Sequence, residues 1–563
     1  MGKATYTVNS NGIATNPAPN QETEEKPEAG KFRTILPQVL AVSVKNLLLV
    51  DLGLSVAFPT IVIPAVRGLN TNYPESLHLT AVQASWLGSI AHICQPLGSV
   101  LSGWVSEPIG RKRAMIIVNI PHMIAWIILH FANSIELLYL GAVLLGLGVG
   151  FMEAPIITYV GEICQPSVRG ILISCAGFAA TIGFFIVYLL GSITDWRTAA
   201  LGCLSLPIIT AIAICFIPET PMWLLSKHRK EEALKSLQWL RGWVSPKAVE
   251  EEFNEIIRYS ENSNKCTECQ KADVQCPHPP TTLLQRITEL KRKRTIKAFI
   301  LVACLFAISQ FSGIASMRPY MVQIFKAYRV PLDPNWTTVV IGVVGIVANM
   351  ACMICVKLIG KRRISILGLS GSIVCCICLA SYAQAVFPTG WNSFEQSDEA
   401  HIDESYLPFT AFILWTFFTF CGISSIPWML LSEVFPFKSR GIATGITAGI
   451  NYIFGFIATK TYLNLDQGLG LNGTMWFFTS INILGLLFVL FMMPETENCT
   501  LEDIELHFAQ NNLKLTDIKI ARASTDVESG DPQSKKTEKP KPSVNGAVTT
   551  SASGVENRGF SDN

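Results

Sequence analysis

Two nine-residue stretches decide the fold of this chain: EICQPSVRG at residues 162–170 and EVFPFKSRG at residues 433–441. In both, a glutamate precedes an Arg-Gly pair by the same spacing, and both follow apolar segments long enough to cross a bilayer. The two stretches lie 271 residues apart. A motif that returns once, after several further apolar segments, predicts that a unit of several helices was duplicated.

Two further motifs repeat at similar intervals. Pro-Glu-Thr occurs at 218–220 and 494–496, and a glycine followed by three basic residues occurs at 110–113 and 360–363. Together with the first pair they predict two parallel copies of a six-helix unit. In transporters built from such repeats, the substrate lies near the membrane midplane between two rocking halves.

The composition favours a protein embedded in a membrane. Of the 563 residues, 50% are hydrophobic and only 15% are charged, whereas soluble domains have about 25% charged residues. Twelve apolar segments are present, with a long polar gap after the sixth: 38–66, 81–105, 114–132, 136–160, 170–192, 196–217, 297–328, 337–359, 364–386, 407–432, 441–463 and 473–493. The sequence therefore predicts an all-α membrane protein with twelve transmembrane helices in two pseudo-symmetric six-helix halves.

Charged and polar segments predict the orientation and the domain boundaries. The basic clusters fall on one side of the segments, which the positive-inside rule assigns to the cytoplasm, so we expect both termini to be cytoplasmic. The expected location is the plasma membrane. Asn335 and Asn472, in N-x-[ST] sequons on the other side, are the expected glycosylation sites. The expected regions are a disordered tail at 1–37, a first half at 38–217, a linker with short helices at 218–296, a second half at 297–493 and a mostly disordered tail at 494–563.

The sequence contains no catalytic constellation and no Walker loop, so we expect neither an enzyme nor a cofactor. The net charge of +2 gives no indication of a nucleic-acid partner, and the oligomeric state stays open.

Most cysteines lie in apolar runs and indicate no disulfide framework. A linker cluster of soft ligands resembles a zinc site but matches no standard finger spacing, so solvated thiols are the alternative: Cys266, Cys269, Cys276 and His278. Apolar spacing also predicts a short amphipathic linker helix at 230–241 that packs under the bundle.

At its motifs the chain resembles the sugar-porter family of the major facilitator superfamily. The resemblance covers residues 38–508, with these motifs in the family's order: Gly110 to Lys112, Tyr159 to Gly170, Pro218 to Leu224, Gln310 to Ile314, Pro427 to Glu433 and Pro494 to Ile504. It implies alternating access and a small-molecule substrate, a hexose or a disaccharide such as trehalose. Bacterial relatives couple transport to protons through an Asp and an Arg, but the matching positions here are Ser55 and Ala142, so facilitated diffusion is expected.

The resemblance implies a substrate site at Gln310, Trp428 and Asn451, since a sugar needs amide partners and an aromatic face. Two of the family's glutamines are replaced, by Ser309 beside Gln310 and by Gly177 on the fifth helix. The substrate itself is therefore less certain than the fold.

Five charged residues at one membrane interface are expected to form a gating ion-pair network: Arg111, Glu162, Arg169, Glu433 and Arg440. Ion pairs between the two halves would exist only while the transporter is closed at that interface. The alternative is that these residues only anchor the helices at the interface.

Three charges fall deep within predicted helices, where an ionisable group is costly unless it faces a cavity or a partner. We expect Arg318 to enter the substrate cavity and to pair with Glu153 or Asp51. The alternative is that Arg318 extends to the interface. An unpaired Arg318 would instead favour a carrier of a charged organic metabolite, and a third possibility is a non-transporting nutrient sensor on the same fold.

Overall fold

The computed structural model describes residues 31–69, 75–263, 293–394, 403–435 and 440–497, with a few positions between 499 and 520. Within these ranges all regular secondary structure is helical, so the all-α prediction is confirmed. The linker cluster of Cys266, Cys269, Cys276 and His278 lies outside the described residues, as does most of both expected tails.

Each half contains six long helices, several of them interrupted. The first half consists of α1 (Lys31–Ala57, continued by Pro59–Val66), α2 (Ala81–Ile109), α3 (Arg111–Ile117, continued by Asn119–His130), α4 (Ile135–Ile163), α5 (Pro166–Ile193) and α6 (Trp196–Cys215). The second half consists of α7 (Lys293–Phe311, continued by Ile314–Met317 and Met321–Ala327), α8 (Pro334–Ile359), α9 (Lys361–Val386), α10 (Tyr406–Cys421, continued by Ile426–Glu433), α11 (440–469) and α12 (471–492). Helix α1 thus begins before the expected boundary at residue 38.

Twelve spans are consistent with the apolar lengths of these helices. Nine helical runs in the described ranges are long and apolar enough to cross a membrane, and the bent α7 makes a tenth. One run, Ala443–Met492, contains both α11 and α12, which are separated where Gly470 adopts a φ of 69°. Helix α2, which is not among these runs and carries Ser, Gln and His side chains, completes the twelve helices expected from the sequence.

Helix α7 breaks at a position that requires glycine. Gly313 has a φ of 118°, and a Cβ there would lie 2.4 Å from the Trp415 ring. The helical pieces on either side are bent by 48°. Pro319 lacks a backbone N–H, and the Arg318–Tyr320 stretch forms a single 3-10 turn. The break separates Gln310, in the first piece of α7, from Arg318, in the 3-10 turn between the last two pieces.

Glycines allow the helices that surround the junction of the halves to pack closely. A Cβ at Gly53 of α1 would lie 2.1 Å from the Ala180 carbonyl oxygen of α5, and a Cβ at Gly150 of α4 would lie 2.0 Å from the Gln95 carbonyl oxygen of α2. Between the halves, α2 packs on α11 and α5 packs on α8. Side chains on these four helices therefore face the junction.

The linker begins with the expected amphipathic helix. Helix Lys230–Leu240 buries Ala233, Leu237 and Leu240. The next residue, Arg241, donates a hydrogen bond to the Ile163 carbonyl at the end of α4, at 3.2 Å. The helix therefore packs under the bundle as predicted. We call this side of the bundle the linker side and the opposite side the far side.

Candidate functional site

The three repeated motifs come together at the linker side of each half. In the first half the Glu219 carboxylate accepts hydrogen bonds from the backbone N–H groups of Arg111 and Lys112, at 3.1 Å each. In the second half Glu495 accepts them from Lys361 at 3.0 Å and Arg362 at 3.1 Å. Because the first N–H groups of a helix have no partner within it, a carboxylate stabilises the start of α3 and of α9.

The preceding glycines explain why this motif begins with glycine in both copies. Gly110 has a φ of 99° and Gly360 a φ of 91°. A Cβ at either position would lie 2.4 Å from the capping carboxylate of Glu219 or Glu495. The same local geometry therefore occurs in both halves, as duplication requires.

Each cluster continues into an ion pair with the glutamate that begins the repeated nine-residue stretch, Glu162 or Glu433. Arg111 pairs with Glu162 at 3.0 Å, and Lys361 pairs with Glu433 at 2.9 Å. Arg169 donates to the Cys164 carbonyl oxygen at 3.1 Å. Lys361 joins this network although sequence reasoning did not include it, and its place beside Arg111 in the repeated motif was the available signal.

No ion pair among the described linker-side residues crosses from one half to the other. The side chain of Arg440 lies outside the described residues. The gating role of these charges, with pairs that bridge the halves in another conformation, therefore stays a prediction.

The far side, in contrast, is held together by contacts between the halves. Three cation–π contacts cross the junction: Arg67 over Phe394 at 5.2 Å, Lys460 over Trp86 at 4.0 Å, and Arg318 over Phe184 at 4.3 Å. In addition, the Thr60 hydroxyl donates to the Arg318 carbonyl oxygen at 2.9 Å. The structure thus has the far side closed.

Arg318 does not pair with the acids that sequence reasoning proposed, so that prediction is wrong. Asp51 instead accepts a hydrogen bond from Trp126 Nε1 at 3.3 Å and lies 3.5 Å from His122 Nε2. No carboxylate of the described residues contacts the Arg318 guanidinium, which lies over the Phe184 ring. The Phe184 ring of α5, on the neighbouring half, takes the place of the expected acid.

Glu153 of α4 lies at the junction between the halves. It is only 8% exposed and faces Ser99 of α2 and Tyr452 of α11. Neither of its carboxylate oxygens has a hydrogen-bond partner within the described residues. It is therefore a buried polar group on the first half that faces the second half.

Two of the expected substrate residues are in direct contact. Gln310 Nε2 donates to Asn451 Oδ1 at 2.9 Å. Trp428 is 38% exposed, packs edge-on against Phe306 at 5.0 Å and lies 6.3 Å from the Tyr452 ring. Because Tyr452 follows Asn451, the amide pair and the exposed indole belong to one region.

Other expected residues differ in their contribution. Ser309 is half-buried, and its carbonyl oxygen accepts the Ser312 hydroxyl at 2.9 Å. His92 of α2 approaches the amide pair, since a Cβ at Gly455 would lie 3.5 Å from both His92 Nδ1 and Gln310 Oε1. Sequence reasoning missed His92 and its partner Gln95, 3.1 Å away. Two polar side chains within an apolar segment were the signal for them.

A further ion pair fastens the far-side loop of the first half. Glu75 binds Arg197 and accepts a hydrogen bond from Trp196 Nε1 at 2.8 Å. Burial alone would raise the pKa of Glu75, but the hydrogen bonds from Arg197 and Trp196 outweigh burial and hold the pKa at about 2.

Comparison with known proteins gives consistent matches. Residues 12–508 match the sequence model of the family described as "Sugar (and other) transporter". The chain is 29% identical over 471 residues to the facilitated trehalose transporter Tret1 of Polypedilum vanderplanki, covering 84% of this chain and 88% of that protein. It is also 29% identical to Tret1 of Aedes aegypti over 502 residues, covering 87% of this chain but only 58% of the length of that relative.

The fold matches a solved transporter structure. The proton:xylose symporter XylE of E. coli, bound to 6-bromo-6-deoxy-D-glucose, superposes with a TM-score of 0.63 at 18% identity. The match covers 84% of this chain and 98% of XylE.

Proposed function

The chain belongs to the sugar transporter family and carries sugar across a membrane as a multi-pass protein, and from this premise we propose that its substrate is a hexose or a disaccharide such as trehalose. The substrate moves by facilitated diffusion and leaves the protein chemically unchanged. The relatives described as facilitated trehalose transporters support this choice of substrate.

The observation that carries the proposal is the amide pair of Gln310 and Asn451, together with the exposed Trp428, whose indole lies 6.3 Å from the ring of the next residue, Tyr452. Gln310 donates one N–H to Asn451, and no described residue uses its side-chain carbonyl oxygen or the Asn451 N–H groups, so these can bind sugar hydroxyls. The indole offers an apolar face for a pyranose ring. Amides with an aromatic face are the groups that a neutral sugar needs.

Facilitated diffusion is supported by the surroundings of Ser55 and Ala142. These two residues line a small apolar cavity together with Phe58, Leu87 and Leu145. No charged side chain lines that cavity, although proton-coupled relatives are expected to place an Asp and an Arg at these two positions.

We propose that the linker side is cytoplasmic, that both termini lie there, and that the protein resides in the plasma membrane. The positive-inside rule supports this orientation. Asn335 and Asn472, both partly exposed, then lie on the extracellular side as glycosylation sites. In this orientation the closed far side is the extracellular side.

The test is uptake by the purified full chain in liposomes with labelled glucose, trehalose and an organic anion, each with and without a proton gradient. We expect sugar uptake that the proton gradient does not drive. Accumulation of sugar against its gradient when protons flow would contradict facilitated diffusion.

A second candidate function, transport of a charged metabolite, rests on Arg318, which lacks an acidic partner among the described residues. Anion uptake without sugar uptake, abolished by Arg318→Gln, would favour it over the first. A third outcome, no turnover of any substrate, would favour a sensor.

A further inference from the structure

Position 177 on α5 opens toward the second half of the protein. Gly177 is exposed, yet a Cβ there would lie 3.2 Å from Asn349 Oδ1 and 3.7 Å from Ser425 Oγ. The missing side chain therefore points at two polar groups on α8 and α10. Related sugar porters are expected to have a glutamine at this position, and in this chain the amide of Asn349 approaches the same space from the opposite half.

Asn349 of α8 is fixed by hydrogen bonds to α5, to α10 and to a residue of its own helix. Its Nδ2 donates to Thr181 Oγ1 of α5 at 2.9 Å and to the Gly345 carbonyl oxygen at 3.2 Å. Ser425 Oγ donates to Asn349 Oδ1 at 2.8 Å. Asn349 is 4% exposed and Thr181 is 1% exposed, so this cluster is ordered in the interior and links both halves.

The pattern of donors leaves acceptors available. Both N–H groups of Asn349 are used, and its Oδ1 accepts only one hydrogen bond from the described residues. Ser425 Oγ, which is half-buried, donates to Asn349 Oδ1 at 2.8 Å, with the Phe420 carbonyl oxygen as a second acceptor at 3.3 Å, and no described residue donates to its lone pairs. The cluster therefore suits a ligand that donates hydrogen bonds, as a sugar hydroxyl does.

The stacking face is close to these acceptors. Ser425 precedes Trp428 by three residues at the start of the second α10 piece, so the two side chains share one helical face. A ring on the Trp428 indole could thus place a hydroxyl near Ser425 and Asn349.

We propose that Asn349 and Ser425 bind a sugar hydroxyl in place of the amide missing at Gly177, and that Thr181 is the residue that positions Asn349. This inference rests on the proposed function. It identifies the side of the site formed by α8 and α10 as the part that distinguishes one sugar from another. The hydroxyl donates to Asn349 Oδ1 or Ser425 Oγ while the amide pair of Gln310 and Asn451 binds a different part of the ring.

The experiment measures transport KM in liposomes for glucose or trehalose, whichever the wild type moves, and for the series of its monodeoxy analogues. The variants are Asn349→Ala, Ser425→Ala and Thr181→Val, with Thr181→Ser as the matched control that keeps the hydroxyl. We expect Asn349→Ala to raise KM for the parent sugar about tenfold, the cost of one buried hydrogen bond. KM for one monodeoxy analogue should stay unchanged, because that analogue lacks the hydroxyl that Asn349 binds. Thr181→Ser should resemble the wild type.

An equal rise in KM for the parent sugar and for every analogue would show that Asn349 only holds the helices together. That result would overturn the inference while leaving the proposed function intact. Unchanged KM values in Asn349→Ala would overturn it as well. If Asn349→Ala does not fold well enough to be purified and reconstituted, Ser425→Ala, which leaves the bond between Asn349 and Thr181 in place, decides by the same criterion. A wild type that moves neither sugar would overturn the inference together with the proposed function.

Discussion

Replacing Phe184 with leucine is expected to open the far side of the transporter. The Arg318 guanidinium lies 4.3 Å from the centre of the Phe184 ring and contacts no carboxylate of the described residues. Leucine keeps apolar volume but removes the negative face of the ring. A cation–π contact contributes about 0.5–1 kcal/mol when exposed and about 2 kcal/mol when desolvated. Because Phe184 is only 8% exposed, we use the larger value. Losing about 2 kcal/mol lowers the ratio of molecules with a closed far side to molecules with an open far side roughly thirtyfold.

The shift can be measured as a distance between the halves. Spin labels on cysteines introduced at Glu136 and Tyr406, exposed residues at the far ends of α4 and α10, report this distance by pulsed electron paramagnetic resonance. The background should lack reactive native cysteines. We expect a longer distance to become populated in Phe184→Leu, whereas Phe184→Tyr keeps an aromatic face and serves as the control. Arg318→Gln should give the same shift as Phe184→Leu.

The combination of the two changes is the critical result. Since Phe184→Leu and Arg318→Gln remove the same contact, the double variant should shift the distance no further than either single variant. Unchanged distances in both single variants would refute the reasoning. Neutralising Asp51 or Glu153 in the Arg318→Gln variant should not return the distance between the halves to its wild-type value. Such a return would restore the interpretation that Arg318 forms an ion pair with that acid.

Other predictions follow from the remaining contacts. Gln310→Ala and Asn451→Ala should each weaken sugar binding by about 1–3 kcal/mol, since each removes an amide that binds a sugar hydroxyl, and unchanged KM values in liposomes would contradict this assignment. Neutralising Arg169 or Arg440 should slow sugar exchange while surface expression stays normal, and normal exchange in both would exclude the gating role. The Glu75 carboxylate, with a pKa held at about 2, should stabilise the fold fully above its ordinary pKa of about 4.5 and progressively less as pH falls toward 2. The thermal unfolding midpoint of the wild type should therefore fall toward that of Glu75→Gln as pH is lowered, and a constant difference would oppose the assignment.

Much of the fold was predictable because its signals are local. Apolar length marks each span, and the recurring motifs around Glu162 and Glu433 indicate two copies of one unit. The same motifs form the same contacts at the starts of α3 and α9, where Glu219 and Glu495 bind backbone N–H groups. Since a bilayer leaves few ways to satisfy backbone hydrogen bonds, such patterns determine helices almost completely.

The candidate site was only partly predictable. The resemblance indicated Gln310 and Asn451, and the structure brings their amides into contact. It gave no indication of Asn349, whose role depends on a hydrogen bond to Thr181 in the other half. Sequence spacing relates residues along one helix but not residues on helices that approach each other from separate halves.

The sequence by itself therefore determined twelve helices, two equivalent halves and a transport fold, because hydropathy and repeated motifs are properties of the chain. Only the tertiary structure decided that Arg318 lies on Phe184 and not beside Glu153 or Asp51. The physical reason is that a buried charge is stabilised by whichever group the opposing helix presents, and α5 presents the Phe184 ring to Arg318.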